Sequence, residues 1–192
     1  MSKSSQDYVV LLNEMRAHHK NRAQGTAAGS VTPSTPALQA LYVNRVSTKG
    51  ASNDPQIRAL QQSAEKAGDD QAGDSKTGIS NATTSFEKSG DKDTAGYTNE
   101  LNKLRDRDKQ NANQRIDKMY DEAIEIVEKD PSKGDAVVGT MDMVGQFFNS
   151  LLNEISNFFM DVARNILNYL KQIWEKIANT FNSVVNWISH WF

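Results

Sequence analysis

From Phe148 to Phe192 the apolar positions recur every eleven residues. One column reads Ile155, Ile166, Ile177 and Ile188, and a second reads Phe148, Phe159, Leu170, Phe181 and Phe192. Two more read Leu151, Val162, Ile173, Val184 and Leu152, Ala163, Trp174, Val185; a fifth reads Phe158, Tyr169, Thr180, Trp191. Thr180 alone breaks the apolar character of these columns, and the remaining columns are rich in Asn, Ser, Glu and Lys. Eleven residues in three turns is about 3.67 per turn, close to the natural α-helix, so the stripe drifts little and occupies an arc of about 130°. The pattern predicts a nearly straight amphipathic rod of roughly 65 Å at 1.5 Å per residue.

The rest of the chain is patterned more weakly. Residues 5–20 read as a helix capped by Ser4 or Ser5, with Tyr8, Leu11, Leu12 and Met15 on one face and His18, His19, Lys20 and Arg22 suited to its C-terminal dipole. Gly25, Gly29, Pro33 and Pro36 predict a linker, followed by a short apolar patch from Ala37 to Val46. Asp54-Pro55 is a helix start, and Ile57, Leu60, Ala64 and Ala67 follow at helical spacing until Gly68, where a stop is expected. From Gly68 to Gly96 no apolar period is visible. Tyr97, Leu101, Leu104, Ala112, Ile116, Met119, Ala123 and Val127 mark a second long helix that Asp130-Pro131 ends, with an exposed charged middle from Arg105 to Gln114.

The fold class predicted is all-α. Residues 1–22 form a short N-terminal docking or targeting helix. Residues 23–96 form a mostly disordered polar region with a short helix at about 55–67. Residues 97–130 form a charged amphipathic helix, and residues 136–192 the long striped helix.

Composition sharpens this division. Ten of the fifteen aromatic residues lie between Phe147 and Phe192, so the polar front has little with which to build a core of its own. Lys and Arg against Asp and Glu number six to two over residues 1–50, thirteen to seventeen over 51–133 and three to five over 134–192. No block is basic enough to predict nucleic-acid binding. The chain has no cysteine, which removes disulfides, thiol catalysis and Cys-based zinc sites. No secretory signal pattern is present, so export would need a signal-independent route or packaging in a particle.

Catalytic chemistry is not predicted. Phosphate-binding loops, dinucleotide glycine fingerprints, HExxH and GxSxG are all missing from the sequence. His18 and His19 point about 100° apart on a helix and do not chelate one ion well. All three histidines, with His190, are expected to be solvated. Neither a cofactor nor a metal is called for.

What remains is the stripe. Fully burying one large apolar side chain is worth ~1.5–3 kcal/mol, so some twenty on one helix demand a partner surface. Three surfaces are available: copies of the rod, a lipid bilayer, or the preceding helices folded back on it. For the first, the broad arc favours three or more helices over a two-helix seam. For the second, the asparagines and charges along the rod exclude an ordinary transmembrane span but suit an interfacial helix, or a wet pore built from many copies. The eleven-residue period carried by the Ile column resembles the lipid-surface helices of apolipoproteins and perilipins, which carry more flanking basic residues. The plan of a polar front and an amphipathic C-terminal rod is similar to that of secreted translocators and virion-ejected proteins.

The expectation is therefore a non-enzymatic, self-assembling protein that interacts with membranes or forms pores. The alternative is a soluble structural protein that oligomerises as a helical bundle through the same stripe. In either case the contact residues are Phe148, Leu151, Leu152, Ile155, Phe159, Val162, Ile166, Leu170, Ile173, Trp174, Ile177, Phe181, Val184, Ile188 and Trp191. The partners expected are further copies, membrane lipid and a protein that orders the N-terminal half.

Overall fold

The computed structural model describes residues 4–43, 53–90 and 92–191, so Val46 and Phe192 of the apolar patterns lie outside the described residues. Six α-helices follow one another: α1 (Ser5–Gln24), α2 (Pro36–Val43), α3 (Pro55–Lys88), α4 (Thr94–Lys129), α5 (Gly134–Tyr169) and α6 (Ile173–Ile188). A 3-10 turn, Pro131–Lys133, joins α4 to α5. The described residues contain no strand.

Local chemistry explains most helix ends. Ser4 Oγ accepts from the Asp7 N–H while the Asp7 carboxylate accepts from the Ser4 N–H, a reciprocal cap that starts α1. Gly25, at φ 78°, ends that helix in the left-handed region. The Asp54 carboxylate accepts from the Gln56 and Ile57 N–H groups, and Pro55 takes the first helical position of α3.

The helices form a bundle around α4. Side-chain pairs fix the directions: Thr83 with Tyr97 and Ser75 with Asp108 make α3 and α4 antiparallel. Arg105 with Ser156 and Tyr120 with the Met141 carbonyl make α4 and α5 antiparallel. On the α4–α5 seam sits α1, held by ion pairs from Arg16 to Asp121 and Lys20 to Asp117, both 2.6 Å. Doubling back on α5 is α6, which also packs along α3.

Three expectations are corrected. First, the stretch expected to be disordered contains α3, and Gly68 does not stop it. Its buried positions recur at a spacing of eleven: Ile57, Gly68, Ile79; Leu60, Gln71, Ala82; and Ala64, Ser75, Phe86. Through the middle of α3 the period is carried by small and polar residues, Gly68, Gln71 and Ser75 among them, which a search for apolar periodicity passes over. At Gly68 a β-carbon would overlap the Phe147 ring, so glycine admits a neighbour's aromatic side chain there.

Second, the rod is not straight. It starts at Gly134, earlier than expected, and reverses over Leu170–Gln172, so that α6 lies antiparallel to α5. No glycine or proline drives the turn, and Gln172, which starts α6, makes no side-chain cap. Folding back lets the two halves of the stripe cover each other and share α3, which removes more apolar surface from water than one extended helix can.

Third, the middle of α4 is not wholly exposed. Asp108 and Ala112 are buried, because α3 runs past them.

Candidate functional site

The stripe is the centre of the molecule's apolar chemistry. Phe148, Leu151, Leu152, Ile155, Phe159, Val162 and Ile166 on α5 are buried in the chain's own core, as are Ile173, Ile177, Phe181, Val184 and Ile188 on α6. Leu170 and Trp191 are partly buried against it. Only Trp174 of the fifteen predicted contact residues is exposed, and its indole N–H donates to Glu87 on α3 at 2.8 Å.

Aromatic rings clasp the hairpin. Phe147 stacks on Trp187 at 5.6 Å and meets Trp191 at 5.7 Å, and Phe158 meets Phe181 edge-on at 5.9 Å. Phe147 precedes the repeat but stands eleven residues before Phe158, in register with the fifth column, and it is fully buried. Its partner Trp187 lies outside the five columns, and only the reversal of the chain brings the two together.

Packed on both the hairpin and α4, α3 is of a different kind. Between Leu60 and Ile79, α3 faces the core with Ala64, Gly68, Gln71, Ala72, Ser75 and Gly78. Polar contacts then tie α3 to α4. Arg115 reaches Gln71 at 2.6 Å and Asp74 at 2.8 Å, and the Ser75 hydroxyl donates to Asp108 at 2.6 Å. Burial pushes the Asp108 carboxyl above its ordinary range, against the lowering effect of Ser75 and Arg107.

His19 is a further correction, since the sequence reading left it in solvent. It is 1% exposed and sits at the junction of α1, α4 and α5. Its ring rests on Gly145, where a β-carbon would overlap it, and stacks with Tyr120 at 6.4 Å. Nδ1 lies 3.4 Å from the Asn149 amide nitrogen, and Nε2 is buried with no hydrogen-bond partner. Burial pushes its pKa down to about 3, and the charges of His18 and Arg22 act in the same direction. The helical register could have found it: Leu11, Met15, His19 and Ala23 follow at intervals of four on the buried face of α1.

His18 is on the solvent side of α1, where its ring nitrogen lies 3.2 Å from the Gly29 carbonyl; His190 is exposed at the end of α6. Among the described residues no group of three His, Cys, Asp or Glu side chains is placed to hold a metal ion. No helix among them is long and apolar enough to cross a membrane. Tyr42 on α2 donates to Asp142 on α5 at 2.6 Å, so the short helix is fastened to the base of the hairpin. Neither a protein-family model, nor a curated protein, nor a solved structure matches this chain.

Proposed function

We propose that the chain is a non-enzymatic, membrane-interacting helical protein in a closed, water-compatible form, with the α5–α6 hairpin as its effector element. One observation carries the reading: the two sides of the hairpin's interface are chemically unequal. The hairpin contributes Phe147, Phe148, Phe159, Phe181 and the Ile column, while α3 meets Phe147 and Ile188 with Gly68, in a stretch whose other buried residues between Leu60 and Ile79 are alanine, glycine, serine and glutamine, the serine and glutamine bonded to α4. On separation, that stretch of α3 exposes surface that water solvates readily, and the hairpin exposes surface that water does not. Lipid or further copies of the hairpin are the natural acceptors for it.

The contact proposed is interfacial, or made by several amphipathic helices that associate with their apolar faces outward, because no described helix meets the requirement for a lone span. Several buried polar atoms lack a hydrogen-bond partner in the closed form. Gln71 Nε2, Thr140 Oγ1, Asn149 Oδ1 and His19 Nε2 are buried without a partner, and each such group costs about 1–3 kcal/mol.

The test is co-flotation of the full-length protein with neutral and anionic liposomes, with dye release and tryptophan emission read together. The expected result is lipid binding accompanied by loss of the Phe147–Trp187–Trp191 cluster signal. A protein that stays in the aqueous layer as a defined oligomer with that cluster intact would defeat the membrane reading and favour the soluble helical assembly.

A further inference from the structure

A cleft of about 250 Å³ opens where the C-terminal end of α1 meets the α4–α5 seam. Arg22 from α1 and Arg105 and Lys109 from α4 line it, and all three are partly buried. None of them forms an ion pair among the described residues, although Arg16 and Lys20, on the same helix as Arg22, each pair with a carboxylate at 2.6 Å. Arg105 is held in place by its own bonds: Nε donates to Ser156 at 2.9 Å and one terminal nitrogen donates to Asn102 at 3.2 Å. That geometry leaves its other terminal nitrogen for a ligand. Asp108 is the one carboxylate in the lining, and it is engaged on its far side by Ser75 from α3. Three cations and one anion leave the lining with a net charge of +2. Leu152, Ile155 and Met160 form an apolar wall beside the charges.

We propose that this cleft binds a phosphate group. The Arg22 guanidinium fork and the remaining terminal nitrogen of Arg105 present N–H donors that match the oxygens of a tetrahedral anion, and the lysine adds a compact positive charge. Three cations lining one partly buried cleft repel one another, and an anion of one or two charges relieves that repulsion. The apolar wall accommodates the carbon side of a phosphate ester. Inorganic phosphate, a soluble phosphomonoester and a lipid headgroup share this chemistry. The site stands independently of the membrane reading, since a soluble phosphate satisfies it equally well.

The experiment is an NMR titration of the full-length protein with inorganic phosphate and, separately, with a short-chain phosphatidic acid kept below its micelle concentration. Chloride at matched ionic strength is the reference. The expected result is saturable shifts of the Arg22 and Arg105 side-chain N–H signals with at least one phosphate probe. Lys109→Gln and Arg105→Gln should each weaken binding by about tenfold, the loss of one charge-assisted contact. Lys103→Gln, on the exposed side of α4, should bind as the parent does. Saturation by inorganic phosphate identifies a soluble ligand, and saturation by the lipid alone identifies a headgroup. The proposal fails if neither probe saturates, if chloride reproduces the shifts, or if the folded variants bind like the parent. Should Arg105→Gln not fold for want of the Ser156 bond, Arg22→Gln and Lys109→Gln decide the question.

Discussion

Lowering the pH from 7 to 5 should weaken the closed bundle by about 2 kcal/mol through His19 alone. The imidazole is neutral in the fold, with its pKa pushed down to about 3, whereas in the unfolded chain it titrates near 6.5. Below 6.5 the unfolded chain therefore binds a proton that the folded chain refuses. Stability falls as the pH drops through that window, and the loss is complete only near 3. One pH unit is worth about 1.4 kcal/mol, and roughly 1.4 units of difference accumulate between pH 7 and pH 5. The neighbours supply no relief: His18 and Arg22 on α1 oppose the charge, the α4 face offers the Tyr120 ring, and the α5 face offers Gly145 and the Asn149 amide nitrogen. On α4, Asp117 and Asp121 already pair with Lys20 and Arg16. The assay is urea unfolding at pH 7, 6 and 5 of the parent chain and of His19→Phe, which keeps a ring on Gly145 and removes the titration. The parent should lose about 2 kcal/mol that the variant does not lose. Equal slopes in the two proteins would refute the reasoning.

Other perturbations test the packing. Gly145→Ala places a methyl group in the His19 ring and should cost about 1–3 kcal/mol, read from thermal or urea unfolding. Phe147→Ala removes the ring shared by Trp187, Trp191 and Gly68 and should cost about 3–5 kcal/mol, with a red shift in tryptophan emission as the hairpin loosens. Ser75→Ala leaves the buried Asp108 carboxylate short of a donor, at a cost of about 1.5–3 kcal/mol at neutral pH. Burial already holds the Asp108 pKa above its unfolded value, and losing Ser75 raises it further, so the deficit should shrink as the pH falls and the carboxyl is protonated in the fold.

The sequence by itself determined that the described chain is helical and where several of its helices start and stop. Ser4, Gly25, Asp54-Pro55 and Asp130-Pro131 act on backbone groups within a few residues, so their effect is local and readable without knowing the fold. The stripe was equally legible, because an apolar face with a regular period is written along one helix. What covers that stripe could not be read in the same way. On α3 the contact with the stripe turns on the absence of a side chain at Gly68, which leaves room for Phe147, a residue far away in the chain. The reversal at Leu170–Gln172 carries neither glycine nor proline, and it follows from the surface that the two halves bury together. The burial of His19 and the meeting of Arg22 with Arg105 and Lys109 depend on where α1 docks. Tertiary packing decided these matters because burial and charge proximity are properties of pairs of helices, whereas propensity and capping belong to one.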